Sequence, residues 1–210
     1  MTATSPMERA AAAAILGRRS RVSAAEQREL ALLVDSDPDA RVRSVALAAS
    51  VHATPRRSAA RVWRVAASDP DPNVRRRAAE LAPALRGDAS ARTLLALLGD
   101  DEPLVAEAAA FALGEHPGAT PRVISALGRA ATTHDDALVR EAAVAALGAI
   151  GDPSALPIVL VACDDKPAVR RRAVLALAAF EGEQVEERLR RALQDRDWQT
   201  RTAAEQLLEK

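Results

Sequence analysis

Tyrosine is absent from this 210-residue chain, and its aromatic complement is two tryptophans and two phenylalanines. With so few large side chains, a globular core filled to organic-crystal density would be starved of volume, whereas helices that approach closely through small residues can bury surface in thin layers. One cysteine, Cys163, excludes an internal disulfide, and its place in the run Leu160-Val161-Ala162-Cys163 marks it as a small buried apolar residue. Three histidines, His52, His116 and His134, leave little material for metal binding or general-base chemistry, and each falls at or near an expected helix end. No apolar run approaches the roughly 18 uncharged residues that a membrane span requires. A secretory signal is not written at the start either, because the apolar run 10–16 is followed rather than preceded by Arg18, Arg19 and Arg21. A cytoplasmic location is therefore expected. Also missing are G-x-x-x-x-G-K-[ST] and G-x-G-x-x-G phosphate loops, C-x-x-C pairs and a G-x-S-x-G elbow, which removes the usual nucleotide, redox and serine-hydrolase readings.

What remains is alanine in quantity. Fifty alanines, with abundant Leu, Glu and Arg, leave all-α as the fold class, and 49% hydrophobic content with 28% charge is enough to bury a core. Formal net charge is zero but unevenly spread: residues 1–98 carry 16 basic against 10 acidic residues, and residues 99–210 carry 13 against 19. The halves are thus +6 and −6, a polarity able to orient a partner over short range. Arginine outnumbers lysine 27 to 2, which in an alanine-rich chain reports a GC-rich genome before it reports an arginine-dependent mechanism.

One block recurs along the chain, and residues 135–151 are its best-preserved copy. Acidic residues open it, where a helix N-terminus favours negative charge; small apolar residues follow at helical spacing; glycines at 148 and 151 close it. Anchored on Val139, the equivalent positions are Val42, Val74, Val105, Val169 and Thr200, spaced by 32, 31, 34, 30 and 31 residues. A period in this range denotes a solenoid of helical hairpins. The pattern predicts a disordered leader over 1–7, a capping helix over 8–16, and six helix pairs from Ser23, where Glu26 completes a capping box, to the C-terminus. Loops stay short and the period is unbroken, so residues 8–210 are expected to form a single domain.

Four residues past every anchor stands alanine: Ala46, Ala78, Ala109, Ala143, Ala173 and Ala204. This spacing keeps anchor and alanine on one helix face and lets a neighbouring helix come close, so these positions are read as the seam between repeats. Five before the anchor is Asp37, Asp69, Asp100, Asp164 or Asp195, with His134 the exception. One after it is Arg43, Arg75, Arg140, Arg170 or Arg201, with Ala106 the exception. This Asp-to-Arg spacing, followed by V-R-x-x-A, resembles HEAT repeats, in particular the short HEAT-like repeats first associated with phycobilin lyase subunits, over about residues 23–210. The resemblance implies a right-handed α-α superhelix of about six hairpins, an Asp–Arg hydrogen-bonded ladder between repeats, and second helices lining a concave face. By the same token the ladder should be interrupted where Ala106 and His134 stand.

If the second helices line that face, a ligand meets the residues two past the anchor: Ser44, Arg76, Glu107, Glu141, Arg171 and Thr202, with Arg77, Glu80 and Arg172 beside them. These vary in type while the core positions do not. Trp63 and Phe180 are expected in the core, and Phe111 and Trp198 are the aromatics available as anchors on an otherwise alanine-rich surface, unless they pack locally. The expected function is a non-enzymatic scaffold or adaptor that binds a protein partner on the concave face, with no cofactor and no metal, as a monomer or weak homodimer. Nucleic acid is the disfavoured partner: HEAT-type stacks include alkylated-base glycosylases, but the triplets 75–77 and 170–172 are interleaved with Glu107 and Glu141 rather than forming a continuous basic stripe. A role as an accessory subunit for tetrapyrrole or cofactor attachment is the further alternative. Metal-binding HEAT enzymes of the deoxyhypusine hydroxylase kind carry several His-Glu dipeptides, of which this chain has none.

Overall fold

The computed structural model describes residues 5–87 and 89–209, and among these thirteen α-helices and no strands occur. They divide into two compact units, Met1–Val105 and Ala106–Lys210. The fold class is all-α, an α-solenoid of successive helix pairs preceded by one extra helix.

The first unit holds α1 (Pro6–Gly17), α2 (Ala24–Ser36), α3 (Ala40–Ala53), α4 (Arg56–Ala66), α5 (Pro72–Leu81), α6 (Ala91–Leu97) and the start of α7 (Pro103–Gly114). Helix α1 begins earlier than the sequence predicts. Ser5 accepts the Glu8 amide and Glu8 accepts the Ser5 amide, a reciprocal box that starts the helix inside the expected leader, with Pro6 in the first turn. Residues 1–4 of that leader lie outside the described residues. The same box, Ser23 with Glu26, starts α2 as expected. Helices α1, α3 and α5 pack in one layer and α2 and α4 in the other, so α1 takes the place of a second helix. Trp63 is fully buried between layers, and its indole N–H donates to the Ala78 carbonyl at 2.6 Å. A buried indole with a partner is the form in which tryptophan suits a core.

The second unit holds the rest of α7, then α8 (Pro121–Thr133), α9 (Ala137–Ile150), α10 (Leu156–Ala162), α11 (Pro167–Ala176), α12 (Glu183–Ala192) and α13 (Trp198–Leu208). Helix α9 packs against α8 and α11, and α11 against α10 and α13. The six alanines four past the anchors are completely buried, as the seam reading requires. Glycines make close approaches of their own. A Cβ at Gly148 would stand 2.7 Å from the Ala176 Cβ and 3.0 Å from its Cα, and one at Gly114 would stand 2.9 Å from the Ala146 Cα. Gly148 is therefore not a helix stop, as its place in the repeat suggested, but the residue that lets α9 lie against α11. The stop is Gly151, whose left-handed backbone (φ 66°) returns its amide to the Leu147 carbonyl.

The Asp–Arg ladder is present in each unit. Arg43 grips Asp69 with Nε and Nη2, both at 2.7 Å, and Arg75 grips Asp100 at 2.7 and 2.8 Å. Arg170 grips Asp195 at 2.6 and 2.7 Å. In each case Nη1 turns back to carbonyls in the arginine's own interhelical turn. The aspartate also accepts an amide from its own turn: Asp39 donates to Asp37, Asp71 to Asp69, Glu102 to Asp100 and Asp197 to Asp195. A carboxylate held by a forked guanidinium and an amide favours its charged form, so Asp37, Asp100, Asp165 and Asp195 sit below the usual carboxylate range, with the arginine hydrogen bond the largest cause.

Two features of the ladder differ from expectation. Arg9 of α1 adds a rung to Asp37, at 2.6 and 2.9 Å, before the first full repeat. Arg140 pairs with Asp165, at 2.7 and 2.8 Å, and not with Asp164. The reason is a tighter turn. Other ladder arginines reach a carbonyl six residues back, whereas Arg170 reaches Asp165 five back, so the inward-facing position moves on by one residue. Asp164 is left exposed against Arg188 at 2.8 Å. At the expected interruption, Ala106 is fully buried, and His134 Nδ1 takes over the aspartate's local task by accepting the Asp136 amide at 3.1 Å.

Candidate partner-binding face

The ten residues singled out as contacts all lie on second helices, and the two units hold them as separate groups. In the first unit, Ser44 on α3 and Arg77 on α5 line a shallow groove of about 280 Å³ with Ala14, Val45, Ala48 and His52. Beside it, Arg76 and Arg77 both turn to Glu80, at 2.9 and 3.1 Å. These i,i+4 and i,i+3 pairs are partly solvated and hold the side chains in place more than they stabilise the fold. They also halve the positive charge of the 75–77 triplet that is free for a ligand, because Arg75 is already committed to the ladder.

The second unit carries the more distinctive surface. Phe111 on α7 is 59% exposed and Leu175 on α11 is 40% exposed. Both stand six residues past their anchors, with Ala145 at the equivalent place on α9. Apolar side chains thus recur at one register position of successive repeats. Glu107, Glu141 and Arg171 stand four residues before them, at one shared register position, with Arg172 next to Arg171. Arg172 reaches Glu141 at 3.3 Å, and Arg171 donates to Gln199. A groove of about 340 Å³ lies between α9 and α11, floored by Ala145, Gly148 and Ala176 and edged by Arg172 and Leu175. It exists because glycine and alanine bring no side-chain bulk there. Thr202 is half-buried on α13, and Trp198, at the first position of that helix, is 63% exposed. Phe111 and Trp198 therefore do not pack locally, while Trp63 and Phe180 are core as expected. Leu175 was not singled out from the sequence, although comparing repeats at the Phe111 register would have found it.

Chemical machinery does not converge on this surface. Among the described residues no group of three or more His, Cys, Asp and Glu is arranged to hold a metal ion. The three histidines lie at helix ends or loops, where His116 Nδ1 accepts the Gly118 amide and His134 Nδ1 accepts the Asp136 amide. Cys163 is buried, and burial pushes its thiol up, away from the reactive thiolate. The site can offer shape, apolar contact and charge pattern.

A stack of antiparallel helix pairs with a residue-by-residue repeated ladder defines a helical-repeat protein of the α-solenoid class. The family model for HEAT repeats matches it over residues 30–114, 60–147, 91–168 and 130–209, and the chain belongs to that family. Among solved structures it is similar to YibA of Escherichia coli, with a TM-score of 0.72 and 19% identity over 100% of this chain and 78% of that one. It is also similar to a designed armadillo repeat protein in complex with the peptide (KR)4, with a TM-score of 0.54 and 15% identity over 94% of this chain and 97% of that one. A third likeness, to a Kap121p mutant, has a TM-score of 0.62 and 12% identity over 99% of this chain and 27% of that one. At these identities the likeness is one of fold. No curated protein matches the chain in sequence. No helix among the described residues is long and apolar enough to cross a membrane.

Proposed function

We propose that this protein is a non-enzymatic scaffold, residues 8–210 acting as one domain, that holds a protein partner on its second-helix face. The observation that carries the reading is the exposed apolar register at Phe111 and Leu175, set among Glu107, Glu141, Arg171 and Arg172. An exposed large aromatic in a surface otherwise made of alanine is the kind of residue on which binding energy concentrates. Charges that differ from repeat to repeat supply selectivity, because each mismatched pair in a partner costs affinity. A designed armadillo repeat protein of similar fold is in complex with the peptide (KR)4, which supports a peptide segment as the form of partner we favour here.

In this reading the protein works in the cytoplasm, needs no cofactor or metal, and is a monomer or weak homodimer. The nucleic-acid alternative weakens on the same geometry. Arg75 and Arg170 are spent on the ladder, while Arg76, Arg77 and Arg172 face carboxylates. Two experiments decide between them. Charge reversal at Arg76, Glu107, Glu141 and Arg171 should weaken a co-purified protein partner about ten-fold or more, and unchanged affinity would refute the reading. Duplex DNA should fail to bind at 50 mM salt, where phosphate-driven affinity is greatest.

A further inference from the structure

One concavity lies away from the second-helix face. It is a groove of about 670 Å³ on the first-helix layer of the first unit, between α2 and α4. Its walls are two helical stripes that face each other: Ala24, Arg28, Ala31, Leu32 and Asp35 from α2, and Arg61, Val62 and Val65 from α4. Leu32 is 63% exposed and Val65 44% exposed. Two large apolar side chains standing in water on facing helices are a local departure from the alternation that otherwise keeps the outer face of α2 and α4 polar. The stripe on α2 runs from Ala24 to Asp35, twelve residues or about 16 Å between its ends at helical rise, long enough to seat three turns of another helix.

The rim is charged, and mostly of one sign. Helix α4 carries Arg56, Arg57, Arg61 and Arg64, and no acidic residue occurs from 55 to 68. Among the described residues the guanidinium groups of Arg28, Arg56, Arg57 and Arg61 make no hydrogen bond or ion pair. The start of α4 has no side-chain cap and no acid in its first turn, so its amide dipoles add to the positive field. Asp35 is the one carboxylate among the lining residues. A nucleic acid would use the arginines but gain nothing from Leu32, Val62 and Val65, and would meet Asp35. A helix with an apolar stripe and acidic flanks satisfies both parts at once.

We propose that the α2–α4 groove is a second docking surface, distinct from the second-helix face, for an acidic amphipathic helix of a partner protein. Its apolar stripe lies over Leu32, Val62 and Val65, and its carboxylates meet Arg28 and Arg61, with Arg57 and Arg64 on the outer side. The surface does not depend on what the second-helix face binds.

The test uses the full chain and three fluorescein-labelled 20-residue helical peptides: a leucine stripe flanked by glutamates, the same stripe flanked by lysines, and the glutamate flanks with serine in place of leucine. Fluorescence anisotropy should show binding of the first alone, strengthened at low salt. Leu32→Asp and Arg61→Glu, both at exposed positions, should each weaken it about ten-fold or more with unchanged circular dichroism, and Arg61→Glu should raise the affinity of the lysine-flanked peptide. Arg171→Glu on the second-helix face should leave binding unchanged. The proposal is overturned if no peptide binds, if the lysine-flanked peptide binds the parent protein as well as the first, or if Leu32→Asp has no effect. It is overturned equally if duplex DNA occupies the groove with a dependence on Arg61 but not Leu32, or if sedimentation shows a homodimer that Leu32→Asp dissolves, since a second copy is then the occupant.

Discussion

Replacing Arg75 by methionine, which keeps most of the apolar stem, removes one rung of the ladder and little else. Arg75 makes two bonds to Asp100, at 2.7 and 2.8 Å, and two more to the carbonyls of Asp69 and Pro70, at 2.9 and 3.1 Å. Side-chain exposure is 19% for Arg75 and 10% for Asp100, so the variant leaves a nearly buried carboxylate with the Glu102 amide as its remaining partner. Breaking a fully buried pair costs about 3–5 kcal/mol, and a solvent-exposed pair about 0–1 kcal/mol. This pair lies toward the buried limit but beside solvent, which places the loss at about 2–4 kcal/mol near pH 7, equivalent to a melting temperature lower by about 4–16 °C for a chain of this size. The sign of the pH dependence is fixed by Asp100. Its folded pKa lies below its unfolded value, so the stability it contributes is complete above the unfolded value of about 3.9 and is lost as pH falls through the folded one. The penalty of Arg75→Met should therefore shrink as pH falls below the unfolded value and through the folded one, because the parent protein loses the same rung by protonation. Urea titrations followed by circular dichroism at pH 7 and at pH 3 measure both. A penalty below about 0.5 kcal/mol at pH 7, or one that is equal at the two pH values, would refute the reasoning.

Gly148→Ala should destabilise despite the higher helix propensity of alanine, since a gain of about 1 kcal/mol is opposed by about 1–3 kcal/mol of overpacking against Ala176; thermal denaturation beside Gly118→Ala, a loop position, reads the difference. Completing the interrupted ladder takes two changes: Ala106→Arg and His134→Asp should each fail to stabilise alone, yet show a favourable coupling of about 1–3 kcal/mol in a double-mutant cycle. Tryptophan emission should resolve into a buried, quencher-resistant component from Trp63 and an exposed one from Trp198, so Trp198→Phe should leave a blue-shifted spectrum that acrylamide barely quenches.

Repeat chemistry was legible because six imperfect copies act as their own alignment. The ladder positions other than Asp164, the buried alanine four past each anchor and the break at Ala106 and His134 all came from comparing copies, and the structure bears them out. What escaped was set by geometry that one-dimensional registers do not encode. Asp164 occupies the correct register, yet a turn one residue tighter turns it outward and Asp165 inward. Gly148 looked like a terminator because glycine ends helices so often, whereas here the missing Cβ is needed by the neighbouring helix three residues before the true stop at Gly151. Arg9 lies outside the repeat and gave no sign of pairing with Asp37, 28 residues away. At the candidate face, the charged contacts could be named from variation among repeats. Exposure of Phe111 and Trp198 could not, since an aromatic in an alanine-rich helix reads more readily as locally packed than as an exposed anchor.

The central claim is that the second-helix face holds a protein. The most direct measurement is site-specific photocrosslinking in the native host, with benzoylphenylalanine placed at Phe111, at Leu175 and, as a control, at Arg129, an exposed position on the first-helix layer. Irradiation should yield the same discrete protein adduct from positions 111 and 175 and none of that adduct from 129. Absence of adduct at 111 and 175, or the same adduct from all three positions, would contradict it.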